Sequence, residues 1–402
     1  MFIKDFINKK DKVFVKFIFY YFKVLGTATI SFNTESTKSR KSNEWKFTHS
    51  KSSIMYNIVL IIFVTTFSSF GFICASFQRQ KNFENFEKVT DRAEDVINIL
   101  SVTIIVMMFC FKYKNMAGIA NKMSMIYQSL ISSCPQTLYK SFTDNILLHI
   151  ILIISPYIII WSFVIVSNFI NYPEFEIYNF TVFMNDIVIT ALLMQYSTVL
   201  ILLKYFFKMF NVRLSFILEE QDNLCEIQYL NCSNRSKGKI KDLFHMRKLY
   251  ASLYEVSQDV SSFYSGPMLL CIFKILVSAT LSLYYVAKPI IIDSHNILNV
   301  DFIIRNSMFG LIYATALLIL TTLVTQTARE SVKTREITNR CIINFENKYI
   351  IKELSQFSSF LLQADVNFTV YGFFSLNQSL MTSMTASMTT YLVIILQFQQ
   401  NN

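Results

Sequence analysis

The chain has 402 residues, of which 53% are hydrophobic and only 16% are charged, and its mean hydropathy is +0.39. A soluble protein carries about 25% charged residues. Because the apolar residues here are gathered in separated runs, the composition excludes an ordinary soluble domain and indicates a helical membrane protein. The net charge of +10 is typical of basic loops at a membrane surface, so we expect no nucleic-acid partner.

The sequence predicts an all-α membrane protein with seven transmembrane helices. Residues 1–53 are rich in Lys, Ser and Asn, and their one apolar run is interrupted by Lys16 and Lys23, so we expect this segment to lie outside the bilayer. The predicted spans are residues 54–77, 93–113, 145–170, 182–207, 266–287, 304–326 and 371–398.

Two long polar segments separate the later spans. In residues 208–265, apolar side chains recur at helical spacing from Leu243 to Phe263, and we expect a break near residues 234–239. Residues 327–370 are also helical in pattern and charged. Both segments therefore predict long helical extensions outside the membrane.

Basic residues are concentrated in residues 1–53 and in the segments after the second, fourth and sixth spans. The positive-inside rule then predicts a cytosolic N-terminus, cytosolic helical extensions and an extracellular tail of residues 399–402. The glycosylation sequon at Asn179 falls in a predicted outer loop, where we expect it to be modified. This orientation is the inverse of that of G-protein-coupled receptors.

The last predicted span is unusually polar for a helix that faces lipid. One face carries hydroxyl groups and ends in an amide, with Ser383, Ser387, Thr390 and Gln397. Another face carries Met381, Met384 and Met388. The hydroxyl groups are compatible with close helix packing, in which they bond back to their own backbone. The stripe as a whole, which ends at Gln397, is more typical of the wall of a water-filled path.

Polar and aromatic side chains in the outer halves of the predicted spans form a candidate ligand site: Trp161, Asn168, Asp186, Thr190, Tyr284, Tyr285, Ser307 and Tyr313. Such a set can stack on a small polar ligand and hydrogen-bond it, although each aromatic ring can also belong to the interfacial belt or the core. Asp186 stands out because a carboxylate within a span is costly, unless it reaches the outer interface. Lys274 either snorkels or pairs with an acid on the cytosolic helices.

Nothing in the sequence is typical of an enzyme. No nucleophile is paired with a base, and neither an HExxH motif nor a phosphate-binding loop is present. The seven cysteines lack the paired spacing of a metal site or of an extracellular disulfide framework. We therefore expect no catalytic residues, no metal and no cofactor.

The end of the chain carries a distinctive pattern, in which Thr390-Tyr391 is followed by five apolar residues and then by Gln397-Phe398. Upstream, residues 372–376 read Gly-Phe-Phe-Ser-Leu and precede a Ser/Thr-rich helix. This pattern resembles the closing signature of the insect gustatory receptor family. The length, the inverted topology and the long cytosolic helices extend the similarity over the whole chain.

The resemblance implies a chemosensory receptor that is a ligand-gated, non-selective channel for monovalent and divalent cations. It implies four subunits, either identical or mixed with related receptors, in the lipid of the plasma membrane of chemosensory neurons. A small-molecule tastant would open the channel. Residues 208–265 and 327–370 would form a shared cytosolic anchor, and residues 371–398 of each subunit would line the central pore.

The resemblance also implies roles for the last helix. Phe398 would close the pore by dewetting, and a ring of Gln397 amides would coordinate hydrated cations. The remaining pore-lining residues would be Ile394, Thr390, Ser387 and Ser383. Gln397 can instead cap the helix while Phe398 anchors it at the interface. A metabotropic seven-helix receptor and a small-solute transporter stay open as other functions.

Overall fold

The computed structural model describes residue 23 and residues 30–33, 46–49, 51–78, 85–131, 136–171, 177–219, 232–291, 300–344 and 347–400. Within these ranges the chain is almost entirely helical. In chain order the helices are α1 (Lys51–Gln78), α2 (Asn85–Phe111), α3 (Tyr113–Ile131), α4 (Gln136–Asn171), α5 (Ile177–Glu219), α6 (Cys232–Ile291), α7 (Val300–Asn344), α8 (Lys348–Gln363) and α9 (Gln378–Gln400). Two antiparallel strand pairs join β1 (Ile30–Asn33) to β2 (Lys46–His49), and β3 (Thr369–Val370) to β4 (Phe374–Ser375).

The predicted all-helical membrane architecture is confirmed. In the described residues, six stretches are long and apolar enough to cross a membrane: Ile54–Ile73, Arg92–Phe111, Met184–Leu218, Gly238–Ile291, Asn306–Ile343 and Gln378–Gln399. A shorter apolar stretch, Leu148–Ser162, lies within the 36-residue helix α4. That helix contains the predicted third span, so the bundle has six or seven spans.

Helix α6 continues through 60 residues, and the break that we predicted near residues 234–239 is wrong. Those residues lie inside the helix, which also contains Pro267 and Pro289. A glycine such as Gly238 costs a helix only about 1 kcal/mol. The buried face of α6, which includes Leu243 and Met246, offsets that cost by packing against its neighbours.

An aromatic cluster joins the long helices α5 and α6 to the 16-residue helix α8. The ring of Tyr250 on α6 lies edge-on to Phe210 of α5 at 5.4 Å and to Phe357 of α8 at 5.8 Å. Its hydroxyl group lies 2.8 Å from Ser331 Oγ on α7. Such edge-to-face pairs add about 0.5–1.5 kcal/mol each beyond the burial of area, so this cluster fixes how the helical extensions meet.

The predicted helix over residues 327–370 is divided in the structure. Helix α7 ends at Asn344, and α8 begins after Asn347, whose side chain accepts a hydrogen bond of 3.0 Å from the backbone N–H of Tyr349. This bond is a typical N-cap, because it satisfies a backbone donor that has no partner within the helix. The cap marks the start of α8 as a helix separate from α7.

The last helix begins at Gln378, so our predicted start at residue 371 is wrong. Tyr371 and Gly372 have φ values of 48° and 73° and form the turn of the β3–β4 hairpin. A right-handed helix cannot include these dihedral angles. The helix then starts where Asn377 Oδ1 accepts a hydrogen bond of 3.1 Å from the backbone N–H of Ser379.

We expect Leu361→Ala to lower the stability of the protein much more than Leu362→Ala. Leu361 is 2% exposed and belongs to the core, whereas its neighbour Leu362 is 63% exposed. Truncating a buried leucine costs about 2–5 kcal/mol, so Tm of the detergent-purified protein should fall by several degrees for Leu361→Ala alone. Equal Tm values for the two variants would contradict the packing of α8.

Candidate functional site

A buried ion pair joins α5 to α6 within the apolar part of the bundle. Lys274 on α6 is fully buried, and its Nζ donates a hydrogen bond to Asp186 Oδ1 on α5. The same Nζ contacts the hydroxyl group of Tyr313 on α7 and lies 4.2 Å from the centre of that ring. The Tyr313 hydroxyl group in turn donates to Asp186 Oδ1 at 3.1 Å. Three helices therefore meet at one charged point.

Helix α2 adds acidic groups to this point. Glu94 lies beside Ser278 of α6 and interacts electrostatically with Lys274 and Asp186. Glu94 is partly buried, and Asp95, next to it in the chain, is buried. We call Glu94, Asp95, Asp186, Lys274 and Tyr313 the charged cluster. When its carboxyl groups are ionised, the cluster contains three carboxylates and one ammonium group and has a net negative charge.

The sequence offered two alternatives for Lys274, snorkelling or pairing with an acid on the cytosolic helices, and both are wrong. Its ammonium group does not snorkel, because Lys274 is 0% exposed, and its partner comes from the fourth predicted span, not from a cytosolic helix. Asp186 is 3% exposed, so it does not reach an interface either. A buried charge costs several kcal/mol unless it is paired and hydrogen-bonded, and the pairing of these two residues offsets that cost.

Apart from Thr190, the other predicted ligand residues whose side chains the structure describes do not form one site with Asp186 and Tyr313. Thr190 is buried one turn after Asp186 and donates to the Asp186 carbonyl oxygen at 2.9 Å. Trp161 of α4 packs edge-on against Phe309 of α7 at 6.4 Å. Ser307 and Tyr285 are partly buried. The side chains of Asn168 and of the sequon residue Asn179 lie outside the described residues.

Tyr284 differs from the other predicted ligand residues. It is fully buried, and its hydroxyl group donates a hydrogen bond to Gln399 Oε1 on α9. Its ring lies 5.2 Å from that of Tyr285. The structure thus brings Asp186, Thr190 and Tyr313 together, whereas Tyr284 contacts the last helix.

Sequence reasoning missed Glu94 and Asp95 and the pairing of Lys274 with Asp186. A signal was present, because two adjacent acids begin the predicted second span and are as unusual there as Asp186 is in the fourth. The pairing carried no such signal. Lys274 and Asp186 are 88 residues apart in the chain, and only the packing of α5 against α6 brings them into contact.

Helix α9 packs against α6 and α7 through one face. Met384 is buried, and Met381 and Met388 are partly buried against the core. The methionine face therefore packs on the helices of the same chain. On the other side, Ile394 is 41% exposed and Phe398 is 65% exposed, so an apolar surface is left for lipid or for another subunit.

The hydroxyl groups of α9 bond to the backbone and yet lie on the exposed side. Ser383 Oγ donates to the Ser379 carbonyl oxygen at 3.1 Å, and Thr390 Oγ1 donates to that of Ala386 at 3.0 Å. Both residues are exposed, Gln397 is exposed and Ser387 is partly buried. Because each hydroxyl proton is directed at the helix, the oxygen lone pairs of Ser383 and Thr390 remain available to a cation or to water.

Comparisons with known proteins agree with this architecture. A family model described as 7tm Chemosensory receptor matches residues 15–402. A Drosophila melanogaster protein named as gustatory receptor 28b is 23% identical over 158 residues, which cover 39% of this chain and 34% of that protein. The matched segment therefore spans about a third of the length of that relative.

Solved structures of an insect olfactory receptor share the fold. The receptor OR5 from Machilis hrabei matches with a TM-score of 0.69 and 13% sequence identity, over 96% of this chain and 98% of that chain. Its complex with eugenol matches over the same shares of the two chains with a TM-score of 0.65. At this identity the likeness concerns the arrangement of helices.

Lys274→Met should destabilise the protein strongly, because it leaves the Asp186 carboxylate buried without its cation. Removing one partner of a buried pair costs about 3–5 kcal/mol. The double variant Lys274→Met, Asp186→Leu removes both charges and should regain much of the lost Tm in detergent. Lys333→Met is the control, since Lys333 is 56% exposed in its ion pair with Glu330. A double variant no more stable than Lys274→Met would contradict the pairing.

Proposed function

We propose that this chain, which belongs to the 7tm chemosensory receptor family, is a gustatory receptor that works as a tastant-gated, non-selective cation channel. The observation that carries the proposal is the two-sided character of α9. Its methionine face packs on its own chain, while its other face carries hydroxyl groups and ends in Ile394, Gln397 and Phe398. An isolated subunit leaves this second face uncovered, and four copies around an axis would cover it.

In the proposed channel, the exposed face of α9 lines the pore. The lone pairs of Ser383 and Thr390 would replace part of the hydration of a cation, as would those of Ser387. Helix α9 contains no acidic or basic residue, so weak selectivity among cations is expected. Ile394 and Phe398 are one turn apart on one side, where four copies would form an apolar constriction that excludes water until it widens.

The charged cluster is the proposed recognition site for the tastant. An ionisable group inside a membrane bundle usually marks a functional site, and this cluster can hydrogen-bond a small polar molecule through carboxylate, ammonium and phenol groups. Lys274 and Tyr313 belong to α6 and α7, which are the two helices that α9 packs against. A ligand that altered the contact between these helices would therefore act directly on the support of the pore helix.

The proposal extends to assembly and location. Four subunits, either identical or mixed with related receptors, would form the channel in the plasma membrane of chemosensory neurons. Residues 208–265 and 327–370 would make the cytosolic anchor, with residues 1–53 on the same side and residues 399–402 outside. Residues 54–207 and 266–326 would supply the other spans.

Phe398→Ala should produce a channel that conducts without a tastant. Four small side chains at the constriction would no longer dewet it, so whole-cell resting current should rise severalfold over that of the wild type in cells that express the receptor. Phe373→Ala, at an exposed phenylalanine of the β3–β4 hairpin, should leave the resting current unchanged. If the resting and tastant-evoked currents of Phe398→Ala equal those of the wild type, the pore assignment is wrong.

The proposed orientation has its own test. A C-terminal epitope should be labelled on intact cells, whereas an N-terminal epitope should require permeabilisation. Asn179→Gln should abolish the shift in gel mobility that a glycosidase produces. Asn231→Gln, which removes a sequon on the proposed cytosolic side, should leave that shift intact. A C-terminal epitope that is reached only after permeabilisation contradicts the inverted topology.

A further inference from the structure

The face of α9 that packs on its own chain ends on a polar residue. Steps of three and four residues connect the side chains of this packing face, which are Met381, Met384, Met388, Leu392, Ile395 and Gln399. Each of them is buried or partly buried. Five of the six are apolar, as expected of a face that packs against α6 and α7. Gln399 is therefore the one polar side chain on this packing face.

The partner of this amide explains its presence. Tyr284 on α6 is 0% exposed, and its hydroxyl group donates to Gln399 Oε1. A buried hydroxyl group left without a partner costs about 1–3 kcal/mol. An apolar side chain at position 399 would remove this acceptor, and a phenylalanine at position 284 would remove the donor. The two residues thus form a specific polar contact at the end of an otherwise apolar interface.

The position of this contact matters because Gln399 directly follows Phe398. Successive residues of a helix point about 100° apart around its axis. A bond that holds Gln399 against α6 therefore also sets the direction of Phe398, which here is 65% exposed on the side away from α6 and α7. Ile394, one turn earlier, is exposed on that same side.

We propose that Tyr284 is a positioning residue for the gate. Its bond to Gln399 holds the last turn of α9 in the rotation that directs Phe398 and Ile394 toward the pore axis, and so favours the closed channel. This inference rests on the proposed channel function, and it gives Tyr284 a role other than contact with the tastant. The same helix α6 carries Lys274, so one rigid element connects the charged cluster to the gate.

Tyr284→Phe in the full-length receptor is the direct test, because it removes the hydroxyl group and keeps the ring. The loss of one hydrogen bond per subunit should raise the resting current at least about threefold, normalised to receptor at the cell surface. Tyr264→Phe is the matched control. Tyr264 is also buried on α6, but it lies 20 residues before Tyr284, so its variant should keep the wild-type resting current.

A second variant identifies the contact itself. Gln399→Leu removes the acceptor and should raise the resting current as Tyr284→Phe does. Since both changes break the same bond, the double variant should match either single variant, whereas independent effects would multiply. Multiplied effects would overturn the proposal, as would a resting current in Tyr284→Phe equal to that of the wild type or below it.

The two proposals fail in different ways. If Phe398→Ala conducts and Tyr284→Phe behaves as the wild type, the role of Tyr284 is wrong and the channel stands. If Phe398→Ala conducts no more than the wild type at equal surface expression, the pore assignment fails and the role of Tyr284 fails with it. A structural role alone would lower Tm or surface expression in Tyr284→Phe without changing the normalised resting current.

Discussion

The ammonium group of Lys274 and the carboxylate of Asp186 meet in an apolar helix bundle, where neither charge is stable alone. Each requires the other at the same depth, so α5 and α6 are held in one register. The hydroxyl group of Tyr313 adds α7 to the contact, and Glu94 adds α2. The relative positions of four helices thus depend on one group of charges.

Along the remaining length of α5 and α7, further polar contacts continue the same register. Lys204 Nζ donates to Gln326 Oε1 at 2.8 Å, and Thr334 Oγ1 donates to Asn211 Oδ1 at 2.6 Å. Further along, Tyr250 connects α6 to α7 and to the aromatic cluster on α8. Because these bonds are distributed along the helices, α5, α6 and α7 form a rigid support for α9.

Against this support, α9 is held by a narrow face. Its methionines provide dispersion contacts without strict geometry, since their side chains are flexible. The bond from Tyr284 to Gln399 adds a directional contact at the far end. In the proposed channel, release of this contact would let the last turn of α9 rotate.

Much of this architecture could be predicted from local patterns in the sequence. Apolar runs indicated the spans, and helical spacing separated the hydroxyl face of the last helix from the methionine face that packs on the core. The ending Thr390-Tyr391 to Gln397-Phe398 indicated the family. Each of these features lies within a short stretch of the chain, so neighbouring residues suffice to predict it.

Only the tertiary structure decided which groups pair and where helices continue or stop. Lys274 contacts Asp186 across 88 residues, and Tyr284 contacts Gln399 across 115 residues. Neither contact has a local signature, because a pairing depends on the rotation and depth of two separate helices. The continuity of α6 through Gly238 and Pro267 was likewise decided by packing, whose energy exceeds the helix propensities on which a sequence prediction relies.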